Sequence, residues 1–120
     1  MRILLIYPNP SHEFDSLMNH PRLSSIMANI LKKFYDKWSS TGGYLIPPLG
    51  LLVVAANTPS EHEIFFVDER VEEIDFDLDV DLVGISVLTV SATRAYEISD
   101  LFRKKETPVI LGGIHPSILV

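Results

Sequence analysis

Three short stretches hold the residues best suited to bind a ligand. They are Pro8-Asn9-Pro10, Ser86-Val87-Leu88-Thr89 and Gly112-Gly113-Ile114-His115. Each directly follows an apolar run that reads as a strand. In the second, the hydroxyls of Ser86 and Thr89 and the backbone amides around Val87 and Leu88 precede a helix, a setting that suits phosphate or amide groups. In the third, the glycine pair lets a flat group come close to the backbone. Pro8 and Asn9, with Leu49 and Gly50 from a later segment, add a largely apolar wall. Together these residues suit a bulky, mostly uncharged ligand. A plain turn accounts for Gly112-Gly113 about as well, and a cap or turn for Ser86 and Thr89. His115 is the one histidine placed at this end. His12 and His20 read as loop surface, and His62 as strand-edge surface.

Sharper chemistries are excluded by what surrounds these positions. A dinucleotide site needs G-x-G-x-x-G after the first strand, and that loop has no glycine. A G-x-x-x-x-G-K phosphate loop is absent. A receiver domain needs an acidic pair after the first strand and an aspartate after the third, where this chain has Tyr7-Pro8 and Ser86. The series Asp75, Asp77, Asp79, Asp81 begins like a calcium loop, but Val80 stands where glycine is required and Ser86 where the final glutamate should be. It reads as a solvated acidic turn. With no cysteine, the chain has no disulfide, thiolate zinc site, cysteine nucleophile or iron–sulfur ligand of its own. That suits a cytoplasmic setting. Ten Lys and Arg against sixteen Asp and Glu give a net charge of −6, which argues against nucleic-acid binding. No apolar run approaches a membrane span of about 18 residues, and the N-terminal run lacks a cleavage site.

The elements that must carry these loops follow from periodicity. Residues 2–7 form a continuous apolar run, as expected of a strand buried on both faces. Residues 62–68, 81–86 and 107–111 read as three further strands. Between them, Pro48 opens a nearly all-apolar helix that Asn57-Thr58-Pro59 closes, predicted to be largely buried. Residues 91–105 form an amphipathic helix with Ala92, Ala95, Ile98, Leu101 and Phe102 on one face. Residues 71–79 are acidic and turn-like. Residues 21–38 carry a helical stripe including Leu23, Ile26, Met27, Ile30 and Leu31, expected to pack mainly on its own domain. Alternating strands and helices predict one α/β domain over residues 1–120, a flavodoxin-like Rossmann parallel sheet with helices on both faces. The chain is expected to be an N-terminal fragment of a longer protein, cut after strand four. The strand-four edge or the helix at 21–38 then becomes a candidate homodimer contact.

Four blocks now align with a known family: Pro47-Pro48-Leu49-Gly50-Leu51, Asp81-Leu82-Val83-Gly84-Ile85-Ser86, Arg94-Ala95-Tyr96-Glu97 and Val109-Ile110-Leu111-Gly112-Gly113-Ile114-His115-Pro116. They resemble the N-terminal cobalamin-binding domain of cobalamin-dependent radical SAM enzymes, of the magnesium-protoporphyrin monomethyl ester oxidative cyclase type. The resemblance covers about residues 1–8 and 44–120. It implies a corrin ring over the carboxyl ends of the strands, with residues 86–89 lining the pocket for the nucleotide tail and Gly112-Gly113 beneath it. Leu49 and Gly50 would face the ligand from the other side, and His115 would sit at the rim.

The resemblance also implies what this chain does not supply. Cobalamin domains of the D-x-H-x-x-G type ligate cobalt from below through the motif's histidine. His12 lacks the aspartate two residues before it and the glycine three after it, so cobalamin is expected here without a lower histidine ligand. A 4Fe–4S cluster and S-adenosylmethionine would belong to a downstream radical SAM domain, which is the implied partner. The 120 residues would then present the cofactor and not be catalytic alone. The alternative is a scaffold or interaction domain of the same fold that binds no cofactor.

Overall fold

The computed structural model describes residues 1–9, 27, 29, 30, 32, 33 and 48–119. Its sheet contains β1 (Arg2–Tyr7), β2 (Glu63–Asp68), β3 (Leu82–Ser86) and β4 (Val109–Gly112). The strand order is β2-β1-β3-β4, and every neighbouring pair is parallel. The helices are α1 (Leu49–Asn57), α2 (Ala92–Lys104), entered through a 3-10 turn at Thr89–Ser91, and the short α3 (Ile114–Ile118). This is the flavodoxin-like α/β arrangement expected from the sequence. From β1 the chain steps outward through α1 to β2, and from β3 outward the other way through α2 to β4. Right-handed crossovers taken in opposite directions put α1 and α2 on opposite faces.

Strand register assigns side chains to those faces. Leu4 pairs with Phe65 and Val83, and Val83 pairs with Val109, so these point to one side together with Ile6, Val67, Ile85 and Leu111. That side is the core. Leu4, Ile6 and Val83 are fully buried there against Ala95, Ile98 and Phe102 of α2. The apolar stripe of α2 falls every three to four residues, which brings Ala95, Ile98 and Phe102 onto one line facing the sheet. Arg103 and Lys104 complement the helix dipole in its last turn.

The acidic segment contributes to the same core. Asp75, Asp77, Asp79 and Asp81 alternate with Ile74, Phe76, Leu78 and Val80, which pack against the core, and the Phe76 and Phe102 ring centroids are 5.4 Å apart. The carboxylates face outward, as read from the sequence. The inward-facing alternation between them is a feature that the sequence reading missed.

The other face is less covered. Leu5 and Leu51 are buried there, but Leu49, Leu52, Val53 and Val54 of α1 are exposed. The expectation that α1 is largely buried is therefore corrected. A nine-residue helix lying chiefly along β1 can hide one line of side chains, whatever its overall apolarity. Ile110, on this face by its pairing with Gly84, is 59 % exposed.

Of the helix expected over 21–38, Met27, Asn29, Ile30, Lys32 and Lys33 are helical, and Met27 and Ile30 from the apolar stripe are exposed. The rest of that expectation lies outside the described residues, as do Pro10, His12, His20 and Pro47. No helix among the described residues is long and apolar enough to cross a membrane.

Candidate functional site

Because all four strands are parallel, their carboxyl ends lie together, and the strand order sets the loops after β1, β3 and β4 side by side. Between β1 and β3 the crossovers diverge to opposite faces, and it is at such a point that open parallel sheets bind ligands. The three sequence-predicted stretches meet there as far as they are described.

Not every predicted residue turns its side chain outward. Pro8 and Val87 are fully buried, so they brace the loops from inside. Asn9 is half-buried, and its backbone N–H donates to Glu69 Oε2 at 2.9 Å. Ser86 and Gly112 are register partners on the face opposite the core. Leu88 is half-buried and Thr89 exposed. Leu49 and Gly50, at the first turn of α1, are exposed.

The loops after β3 and β4 are fastened to each other by backbone. Val87 N–H donates to Gly112 O at 2.8 Å, and His115 N–H donates to Val87 O at 3.2 Å. His115 Nδ1 lies 3.4 Å from Thr89 Oγ1, and its ring meets Tyr96 edge-on, with centroids 6.2 Å apart. The Leu88 N–H donates to Ser91 Oγ at 3.2 Å. Two of the amides that looked ready for a ligand thus already serve the protein itself.

The glycine pair separates into two roles. Gly113 has φ +99°, and a Cβ there would sit 2.8 Å from Val87 O. Its close approach is to the neighbouring loop, in a conformation that favours glycine. A Cβ at Gly112, in contrast, would meet nothing within 4 Å, and the same holds at Gly50. Open space therefore lies over Gly112, beside Ser86 and on the same face of β4 as the exposed Ile110.

The sequence reading missed a charged rim after β2. Asp68 and Arg70 form a forked pair, with Nε to Oδ1 at 2.8 Å and Nη2 to Oδ2 at 2.6 Å, and the guanidinium lies 4.4 Å from the Tyr7 ring centroid. Burial pushes the Asp68 pKa up, but hydrogen bonds from the Arg70 side chain and backbone, together with its charge, outweigh this and hold the carboxyl below its usual value. Glu69 Oε1 accepts from Arg94 Nε at 2.8 Å and from Nη2, while Arg94 Nη1 donates to Glu97 Oε2 at 3.2 Å. The Glu69 hydrogen bond, the largest influence, raises the Arg94 pKa further. The Asp-Glu-Arg run at 68–70 straight after a strand end was the available signal. Its partner Arg94 is 25 residues away, and only the fold reveals that pairing.

Among the described residues no group of three His, Asp or Glu could hold a metal ion. His62 lies at the amino end of the sheet beside Glu61, away from the carboxyl ends of the strands.

Comparison with known proteins finds two similar enzymes. The chain is 49% identical over 70 residues to bacteriochlorophyllide d C-8(2)-methyltransferase of Chlorobaculum tepidum, covering 58% of this chain and 16% of that protein. It is 34% identical over 80 residues to bacteriochlorophyllide d C-12(1)-methyltransferase of the same organism, covering 64% of this chain and 17% of that protein. The matches thus span about a sixth of each relative's length. No family model matches the chain, and no solved structure matches it.

Proposed function

We propose that this chain is a cobalamin-binding module of a radical SAM methyltransferase, presenting the corrinoid to an iron–sulfur domain outside these residues. The observation that carries the reading is the open space over Gly112 at the carboxyl end of a parallel sheet, bordered by Ser86 and by exposed apolar side chains. The similarity to two bacteriochlorophyllide methyltransferases supports the reaction class, and it favours methyl transfer over the ring-closing chemistry of the cyclase type.

Cobalamin, when bound, supplies a transferable methyl group. This chain's own task is to bind, orient and shield. Ser86 and Thr89 offer hydroxyls to polar edges of the ligand. Gly112 leaves room for its plane, and Leu49 and Gly50 of α1 flank it. Pro8 and Val87 stiffen the loops from within, and His115 holds Thr89 at the rim. The partner is a downstream radical SAM domain that carries the 4Fe–4S cluster and S-adenosylmethionine.

A second reading, a scaffold of the same fold with no cofactor, is favoured by the bonds that tie Val87 to Gly112 and His115. Titration with hydroxocobalamin, followed by gel filtration and visible spectroscopy, separates the two. Retained colour with a spectrum lacking a histidine lower ligand supports the module. Loss of all colour, both from this chain and from a longer protein containing it, supports the scaffold.

A further inference from the structure

We propose that Glu69 is a positioning residue of the candidate site, its single carboxylate fastening the loop after β1 to the start of α2. One oxygen accepts the Asn9 N–H at 2.9 Å, and the other accepts Arg94 Nε at 2.8 Å as well as Nη2. Glu69 itself is pinned to β1, because its N–H donates to Tyr7 O at 3.0 Å. Arg94 sits in the first turn of α2, directly after the 3-10 turn that begins at Thr89. The link therefore joins the two sides of the candidate site, Pro8-Asn9 on one and residues 86–89 on the other. Both partners are largely shielded, with side chains 18% exposed for Arg94 and 13% for Glu69. Charge-assisted bonds in such a setting are stronger and more directional than those at an open surface.

The neighbouring Asp68–Arg70 pair is a built-in control. It is similarly shielded and also forked, but it joins only the last residue of β2 to the turn directly after it. Its fork itself stays at the end of β2 and does not span to the β3 side. Glu69→Gln retains the shape but not both links, because its NH2 must face either the Asn9 N–H or the Arg94 guanidinium.

The inference rests on the cobalamin reading for only one of its two readouts. The first is hydrogen exchange of the Asn9 and Leu88 amides in the 120-residue chain; the second is hydroxocobalamin affinity by visible titration. Glu69→Gln is expected to speed Asn9 exchange and to weaken hydroxocobalamin binding by about tenfold each, the value of one hydrogen bond to a charged group. The thermal transition should be retained. Arg94→Lys, which keeps the charge but loses the fork, should give a smaller change in the same direction, and it stands in if Glu69→Gln does not fold. Asp68→Asn should leave Asn9 exchange within about twofold. The proposal is overturned if Glu69→Gln changes neither readout, if it alters exchange but not affinity, or if Asp68→Asn reproduces its effects. If the unsubstituted chain fails to bind hydroxocobalamin, the functional reading falls, and Asn9 exchange alone decides whether Glu69 positions the loop.

Discussion

The face of the sheet under α2 and the face under α1 are made of similar residues, yet they end up in different states. Under α2, Leu4, Ile6, Val83, Ile85, Ile98 and Phe102 are all at most 2% exposed. On the other face, Leu49 and Val53 of α1 and Ile110 of β4 stand exposed, and a Cβ at Gly112 would meet nothing within 4 Å. Apolar composition alone therefore does not mark a core. What matters is whether a partner element supplies a matching row of side chains, and α2 does so where α1 supplies little beyond Leu51. The sealed face holds the domain together, and the side chains of the other face contribute little to that core among the described residues.

The largest expected effect tests the sealed side. Phe102→Ala removes a side chain packed on Phe76 and the sheet, and should cost about 3–5 kcal/mol in urea denaturation. Ile110→Ala, on the open face, should stay within about 0.5 kcal/mol. Equal losses for the two would mean that the open face is closed in solution and would end the contrast.

A smaller effect divides the glycine pair. Gly113→Val forces a branched residue into φ +99° and toward Val87 O, with a cost of about 1–3 kcal/mol. Gly112→Val places its side chain in open space on a strand, where valine is favoured. Its denaturation midpoint should hold or rise while hydroxocobalamin affinity falls. A Gly112→Val protein that binds as well as the parent would move the ligand away from this patch.

How much of this was legible in the sequence varies with the range of the interaction. The strands were readable because each is a short apolar run closed by a polar residue, Pro or Gly, and their observed limits lie within two residues of the expected ones. The helix Ala92–Lys104 was readable because its stripe has the right period. Burial of α1 was misread because period and apolarity say nothing about how many neighbours a helix finds. The loops at the carboxyl end were foreseen as a group, because parallel strands bring their ends together. The two roles within Gly112-Gly113 were not, because they depend on where Val87 lies. The Glu69–Arg94 link was invisible for the same reason, since two ordinary surface-type residues become a junction only when β2 and α2 are set on either side of β1.

The smallest expected effect carries the contrast into pH. Asp68 lies at the carboxyl end on the open face, and its carboxyl titrates below its usual value. A folded-state pKa below the unfolded one, about 3.9 for aspartate, means that the stabilisation is complete above that unfolded value. It is lost as pH falls through the lower, folded value. Asp68→Asn removes this linkage. The variant should be less stable than the parent at neutral pH, and the difference should shrink below about pH 4. Asp77, on the α2 side, is also held low, chiefly by its hydrogen bond from Lys105, but it is present in both proteins and drops out of the difference. Urea midpoints at about pH 7 and at steps below about pH 4 give the two curves. Curves that converge on acidification place an acid-sensitive clasp at the open end of the sheet. Curves that stay parallel would show that the Asp68–Arg70 fork adds nothing to the folded state that protonation can remove.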